Sequence, residues 1–262
     1  MDWLIAALLG LVQGVTEFLP VSSSGHLVLA EELLGVAGEG ILFEVVVHVA
    51  TLVAVVVFYR RRVLALVRGV LSGSSEALHY GAKLALATVP AVVLVVFARD
   101  FMISLYDDPL VVGLALLTTG AMLITTRTTL SGAHDLEPGF GAAFWIGCAQ
   151  AFAIVPGISR SGATVCAALA LGVAPAAAAE FSFLMAVIAI LGALVLELPD
   201  LQAVSSGAWS SLGVGGLVAL ISGLASLWLF VRLLRTQSFH RFAYYTWAVG
   251  GLVILWQLAL RA

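Results

Sequence analysis

An all-α polytopic membrane protein is the fold class this sequence predicts: six transmembrane helices plus two re-entrant helical hairpins, arranged as an inverted repeat. Three observations carry that expectation. The 262 residues are 62% hydrophobic and only 10% charged, against about 25% charged residues in soluble domains. Six apolar stretches are each long enough to cross a hydrocarbon core of about 30 Å as helices of roughly 20 residues. Two further apolar regions are interrupted by Pro/Gly/Ser turns, and those two regions match each other in sequence.

A mean hydropathy of +1.12 exposes more apolar surface than water tolerates, so lipid is the natural solvent. The net charge of -3 gives nucleic acid nothing to bind. Cys148 and Cys166 both lie in apolar stretches and read as buried free thiols. The first residues are not expected to act as a signal peptide: no basic segment leads them, and no small-x-small cleavage site precedes Gln13-Gly14-Val15-Thr16-Glu17.

The predicted spans are about 42–60, 81–99, 110–127, 177–197, 213–234 and 242–260. The first broken region runs from Trp3 to Leu34 and is cut at Pro20-Val21-Ser22-Ser23-Ser24-Gly25. The second runs from Phe140 to Leu171 and is cut at Pro156-Gly157-Ile158-Ser159-Arg160-Ser161-Gly162. Each half is too short to span, so each region reads as a hairpin. Non-helical backbone at membrane depth survives only beside protein or a watery cavity, which makes both breaks candidate sites. The regions align without a gap at an offset of 137 residues: Gly10 with Gly147, Gln13 with Gln150, Ser22 with Ser159, Ser24 with Ser161, Gly25 with Gly162. The expected organisation is repeat 1 over 1–130 (hairpin 1–36, three spans) and repeat 2 over 138–262 (hairpin 139–172, three spans). An odd number of spans per repeat forces opposite orientations.

Arg60, Arg61, Arg62, Arg68, Arg127, Arg232, Arg235 and Arg241 fall on one side if the spans alternate, and that side is expected to be cytoplasmic. Asp100, Asp107, Asp108 and Asp200 fall on the other, with Arg99 as an exception. Hairpin one then enters from outside, hairpin two from the cytoplasm, and their tips meet near the midplane. His134, Asp135 and Glu137 read as a solvated linker. Tyr59, Tyr106, Tyr244, Tyr245 and Trp247 lie near span ends, where an aromatic belt is the default reading.

The polar residues at depth are Gln13, Glu17, Ser22, Ser23, Ser24, His26, Ser159, Arg160, Ser161 and Thr164. A charge in hydrocarbon costs several kcal/mol, so Glu17 and Arg160 are expected to be paired or wet. Each group suits phosphate chemistry. Both serine turns open a helix, whose free N–H groups and positive dipole end attract anions, and the hydroxyls of Ser22, Ser24, Ser159, Ser161 and Thr164 add donors. Arg160 offers a fork for two phosphate oxygens. Glu17, four residues from Gln13 and on the same helix face, can hold a hard divalent cation with the Gln13 amide oxygen. His26 moves protons near neutral pH, and Ser23 is near enough to be deprotonated by it and act as nucleophile. The bland alternative is that Ser and Gly merely pack helices and that Glu17 and Arg160 form a structural pair. Glu44 and His48, one turn apart, stand midway between lining the same cavity and serving structure.

Gln13 to His26, an (E/Q)xxxE motif running into a serine turn and His, resembles the first signature of the bacitracin-resistance undecaprenyl-diphosphate phosphatases. Pro156 to Thr164 resembles their second, PGxSRSxxT, and Glu180-Phe181-Ser182-Phe183 continues the pattern. The resemblance covers nearly the whole chain. It implies a homodimeric bacterial inner-membrane enzyme that hydrolyses a polyprenyl diphosphate lipid, undecaprenyl diphosphate, to the monophosphate with a divalent cation, Mg2+ or Ca2+. That reaction recycles the lipid carrier for cell-wall synthesis and confers bacitracin resistance. The implied functional residues are Glu17, Ser23, His26 and Arg160, supported by Gln13, Ser22, Ser159, Ser161 and Thr164. Many members carry Glu where Gln13 stands, so one anionic metal ligand is lost here. The type-2 phosphatidic acid phosphatases also use Ser-Gly-His and Ser-Arg elements, but their Lys-x6-Arg-Pro segment and later His are missing. A polyprenyl-phosphate flippase or anion transporter using the same midplane site is the competing expectation, since alternating access also exploits inverted repeats. Whether Ser23, His26 or water is the nucleophile stays open at this point.

Overall fold

The computed structural model describes residues 2–36, 41–129, 132, 134–197, 209–236 and 238–261. The chain forms twelve α-helices among these residues: α1 (Trp3–Phe18), α2 (Ser23–Leu34), α3 (Ile41–Phe58), α4 (Arg60–Leu71), α5 (Ser75–Ser104), α6 (Pro109–Ile124), α7 (Thr126–Thr129), α8 (Phe140–Phe152), α9 (Arg160–Ala170), α10 (Pro175–Glu197), α11 (Trp209–Arg235) and α12 (Phe242–Arg261). Five of them, α5, α6, α10, α11 and α12, are long and apolar enough to cross a membrane. The sixth crossing comes from α3. Its 18 residues rise about 27 Å at ~1.5 Å each, close to the hydrocarbon thickness. All six predicted spans fall on these helices.

The loop expected after the first span is itself a helix. α4 leaves α3 at 81° and carries Arg60, Arg61, Arg62 and Arg68 beside exposed Leu64, Val67 and Leu71. A basic amphipathic helix of this kind lies along an interface instead of crossing it. Arg62 ties it to the bundle: Nε bonds Glu180 Oε1 at 2.9 Å, and the guanidinium sits 4.7 Å from the Tyr80 ring centre.

The two broken regions form the two hairpins, α1–α2 and α8–α9. The 16 residues of α1 and the 13 of α8 fall short of a crossing. Close helix approaches give their directions. A Cβ on Gly10 would stand 2.3 Å from the Gly215 carbonyl oxygen, and one on Gly14 would stand 2.5 Å from that of Ala219, so α1 runs parallel to α11 with backbones touching. Likewise Gly147 abuts the Ala87 carbonyl, and Phe140 lies against His79 and Lys83, so α8 runs parallel to α5. α6 and α12 are antiparallel: Gly113 meets Gly250, and Asp108 pairs with Arg261 at the far end. The Arg62–Glu180 pair sets the end of α3 level with the start of α10. Following the chain through these contacts, α1 and α8 enter from opposite faces, as predicted.

An edge-to-face aromatic ladder fastens the first turn to the bundle. Phe18 meets Phe183 at 5.5 Å, Phe183 meets Phe230 at 5.0 Å, and Phe230 meets Phe239 at 5.2 Å. All four rings are fully buried, and each such pair adds about 0.5–1.5 kcal/mol beyond its area.

The basic residues Arg60, Arg61, Arg62, Arg68, Arg127, Arg232 and Arg241 share one end of the bundle. Asp200, with the side chains of Arg99, Asp107 and Arg235, lies outside the described residues. Arg261 adds a cation at the opposite end, paired with Asp108 at 3.1 Å. The linker between the hairpin-plus-three-span units is docked, not simply solvated. His134 and Asp135 donate their N–H groups to the Gly172 carbonyl, Ala174 returns one to Asp135, and Glu137 pairs with Lys83 at 3.4 Å. The carbonyls at the end of α9 are closed locally, by the N–H groups of Leu171, Gly172 and Val173, which leaves the Gly172 carbonyl just past the helix for the linker. Cys148 and Cys166 are free thiols, as expected.

Candidate functional site

The two hairpin turns meet. Gly157 N–H donates to Ser22 Oγ at 3.1 Å, Ser161 Oγ donates to the Leu19 carbonyl at 3.3 Å, and the Gly25 and Gly157 backbones pack directly together. Gly157 has φ +95°, and a Cβ there would stand 2.5 Å from the Val112 carbonyl oxygen. Only glycine suits a position with both restrictions. Ser22 is the one non-glycine residue with positive φ, at 72°, among the described residues. That backbone costs about 1–3 kcal/mol. It aims the Ser22 hydroxyl at two acceptor roles, from Gly25 N–H at 3.3 Å as the α2 cap and from Gly157 N–H across the interface.

Glu17, 7% exposed, is the hub. Oε1 accepts from Arg160 Nη2 at 2.5 Å, and Oε2 accepts from Ser23 Oγ at 2.5 Å and from Gln13 Nε2 at 3.1 Å. A buried carboxylate is tolerable because three donors, one of them cationic, surround it. Arg160 is the first residue of α9 and comes from the opposite hairpin. Only half of its fork is used: Nη1 is buried with no hydrogen-bond partner. A buried guanidinium N–H without an acceptor is rare and costly. Gln13 Oε1 is likewise buried and unpartnered.

His26 faces away from Ser23. Its Nδ1 lies 2.8 Å from the Ser22 carbonyl, which can only accept, so Nδ1 carries a proton. Its Nε2 lies 2.8 Å from the Tyr245 hydroxyl, and the two rings stack at 5.7 Å with 10° between planes. The expected contact of His26 with Ser23 is thus replaced by Glu17 with Ser23. One helical turn carries the His26 ring past the turn, while the tip folds Ser23 back over α1.

The second turn is built the same way. Ser159 caps α9 by accepting Gly162 N–H at 3.1 Å and meets Ser161 Oγ at 3.2 Å. Thr164 bonds the Arg160 carbonyl at 2.7 Å and Ser182 Oγ at 2.6 Å. Thr164 therefore braces α9 against α10 from behind. Ser24 pairs with Ser22 at 3.3 Å and is in reach of the Tyr106 hydroxyl. His48 bonds the Glu44 carbonyl through Nδ1 at 2.7 Å within α3, and its charge acts on Glu17.

Sequence reasoning missed three participants. Thr119, fully buried in α6, donates to the Gly157 carbonyl at 2.8 Å and accepts Ser159 N–H at 3.0 Å. A threonine pair before Gly120 in mid-span was its available signal. Ser182 lies in the Glu180-Phe181-Ser182-Phe183 segment, where the sequence alone assigns it no contact. Tyr245 starts a span, where an aromatic belt is the default reading, and nothing in its local sequence distinguishes it.

Among the described residues no group of three or more His, Cys, Asp and Glu forms a metal centre. The oxygens near Glu17 are one carboxylate, the free Gln13 Oε1 and the Ser23 hydroxyl. That is a hard, all-oxygen donor set which suits Mg2+ or Ca2+ if a ligand's oxygens complete the shell.

The geometry at the two turns accompanies a clear sequence kinship. A family model described as bacitracin resistance protein BacA matches residues 6–252. Curated relatives named undecaprenyl-diphosphatase include one from Alcanivorax borkumensis, 38% identical over 98% of this chain and 99% of its own. One from Novosphingobium aromaticivorans is 40% identical over the whole of both chains, and one from Rhodopirellula baltica is 39% identical over 96% of each. Matched in this way along almost its full length, the chain belongs to the bacitracin-resistance BacA family.

Proposed function

We propose that this multi-pass membrane protein hydrolyses undecaprenyl diphosphate to undecaprenyl phosphate and phosphate. The observation that carries the reading is the half-used Arg160 fork beside Glu17 and Ser23, at the junction of two helix N-termini inside a membrane bundle. The relatives' name supports the same reaction. A transporter needs an anion site but no serine held on a carboxylate, so hydrolysis is the reading and transport is set aside.

In the proposed reaction Arg160 Nη1 takes an oxygen of the terminal phosphate, and the α2 and α9 N-termini face its negative charge. Ser23 Oγ attacks the terminal phosphorus and passes its proton to Glu17. An Oγ–P bond forms, and the bridging P–O bond breaks, releasing undecaprenyl phosphate. His26, neutral with Nδ1–H fixed by Ser22, then takes a proton from water at Nε2 once Tyr245 moves aside. That water attacks phosphorus as the Oγ–P bond breaks; phosphate leaves, Ser23 Oγ recovers its proton from Glu17, and His26 gives the water's proton up to solvent. Ser22, Ser24, Ser159, Ser161 and Thr164 hold the turns in the geometry this requires. A divalent cation bound by Glu17 and Gln13 would neutralise charge on the diphosphate oxygens. The residues from 1 to 130 and from 138 to 262 form two inverted repeats, an arrangement supported by the reciprocal packing of α1 on α11 and α8 on α5. The basic end of the bundle supports a bacterial plasma (inner) membrane placement with that end cytoplasmic and the site reached from the external, periplasmic side. The resemblance supports a homodimer.

Purified protein is expected to release phosphate from a C55 prenyl diphosphate and from shorter prenyl chains. Turnover no faster than buffer with every chain length sinks the assignment. Chelation is expected to abolish turnover, with recovery on adding Mg2+ or Ca2+. Gln13→Glu, which restores a second carboxylate, is expected to lower the half-saturating cation concentration by roughly tenfold, because ligand charge count sets hard-cation affinity. An unchanged cation titration would remove Gln13 from the metal site.

A further inference from the structure

The reaction above places its donors on the terminal phosphate and gives the second, tail-bearing phosphate none of its own. Arg160, Ser23, Glu17 and His26 act on the terminal phosphorus, on its oxygens or on water. One residue from outside both hairpins reaches the same turns. Tyr106 stands in the 3-10 turn Leu105–Asp107 that joins α5 to α6, beside Asp108 at the end of the bundle opposite the arginine cluster. That connection is held at both sides. Asp108 caps α6 by accepting Leu110 N–H at 2.9 Å, and Ser104 Oγ donates to the Phe101 carbonyl at 2.8 Å.

A belt tyrosine keeps its ring in the apolar phase and its hydroxyl in water. Tyr106 does the reverse. Its side chain is 39% exposed, yet the hydroxyl donates inward, to the Ile154 carbonyl of the second hairpin at 3.3 Å. Ser24 of the first hairpin is its other neighbour, and the charge of Glu17 acts on it. The bond to Ile154 is long for a hydroxyl donor, whose usual distance is about 2.7–2.8 Å, so a charged acceptor can take the proton donor over. Ser24 shows the same division of the site. Ser23 Oγ bonds Glu17, while Ser24 Oγ, one residue on, meets Ser22 Oγ at 3.3 Å and the Tyr106 hydroxyl. Successive serines therefore address different sides of the space where the turns meet.

We infer that Tyr106 is a specificity residue whose hydroxyl, beside Ser24, donates to the tail-bearing phosphate and so selects diphosphates over monophosphates. The inference rests on the prenyl-diphosphatase reading. In phosphoryl transfer the attacking and leaving oxygens lie roughly in line. With Ser23 on one side of the terminal phosphorus, the tail-bearing phosphate lies on the other. An uncharged O–H binds that phosphate without competing with Arg160 for Glu17. Once the bridging bond breaks, Tyr106 returns to the Ile154 carbonyl, and the lipid monophosphate leaves with fewer anchors than the diphosphate had on entry.

The test compares two competitive inhibitors of farnesyl diphosphate hydrolysis at one fixed cation concentration. Inorganic phosphate fills the terminal subsite alone, and methylenediphosphonate, which cannot be hydrolysed, fills both. Tyr106→Phe removes only the hydroxyl. It is expected to weaken methylenediphosphonate by about tenfold to a hundredfold, the worth of one hydrogen bond to a charged group. KM for farnesyl diphosphate should rise in parallel. Inhibition by phosphate should stay within about twofold of wild type, the scatter between independent sites, which also shows that the variant is folded. Should Tyr106→Phe not fold, Tyr106→Met carries the comparison. Equal weakening of both inhibitors means that Tyr106 only braces the turns, and no weakening of either means that it does not meet the ligand. Each result overturns the assignment while leaving the hydrolase reading intact. A wild-type protein that hydrolyses no prenyl diphosphate defeats that reading and the role of Tyr106 with it.

Discussion

Arg160→Ala is expected to lower kcat/KM for a prenyl diphosphate by about 10³ to 10⁵, the range found when an arginine that stabilises a transferring phosphoryl group is lost. Two effects combine. The unpartnered Nη1 no longer meets phosphate, and Glu17 is left buried without its cation. Removing one partner of a buried pair costs about 3–5 kcal/mol, so the variant's thermal unfolding must be measured beside its kinetics. Arg160→Lys separates the two effects. It keeps a positive charge for Glu17, and so most of the stability, but a point charge cannot serve a carboxylate and a phosphate with one planar fork. Melting near wild type with activity still largely lost is the expected result for lysine. Wild-type turnover in either variant would remove Arg160 from the site.

Glu17→Gln has the second largest expected effect, a fall in kcat of about 10² to 10⁴, the usual contribution of a positioned proton acceptor. The change is nearly isosteric and retains an acceptor for Ser23 Oγ, so what it removes is charge and basicity. In wild type the rate should fall as pH drops and the Glu17 carboxylate takes a proton, because only the ionised form accepts the Ser23 proton. Glu17→Gln should lose that acidic limb. The double variant with Arg160→Ala should be scarcely slower than Arg160→Ala alone, because residues that act as a unit lose their effects non-additively. Strict additivity, or an acidic limb that survives in Glu17→Gln, would assign the base elsewhere and return His26 to the first step.

Both predictions depend on a contact between residues 143 positions apart, which shows where sequence reading reached its limit. The two breaks were legible as a pair because Gln, Ser and Gly recur at one offset, and greasy composition alone does not arrange that. The expectation that the turns touch followed from alternating spans and charge bias, and the Ser22–Gly157 bond bears it out. The assignment of Ser23 to His26 rested on proximity in sequence. Sequence distance within a helical turn is a poor guide to which hydroxyl meets which base, because rotation about the helix axis swings each side chain by about 100° per residue. In the folded chain Ser23 turns toward α1 and His26 toward α12.

By itself the sequence determined the solvent, the number and limits of the crossings, the two polar breaks and their mutual likeness. These are read from local quantities, since hydropathy, helix length and turn chemistry depend on near neighbours along the chain. Only the tertiary structure decided that Glu17 joins Arg160, Ser23 and Gln13, that Thr119 clamps the second turn, that α4 bends aside and that Tyr245 stacks on His26. Those contacts arise where helices distant in sequence approach to within a few ångströms, and a shift of one helical turn would exchange every partner without altering the pattern of apolar residues that specified the helices.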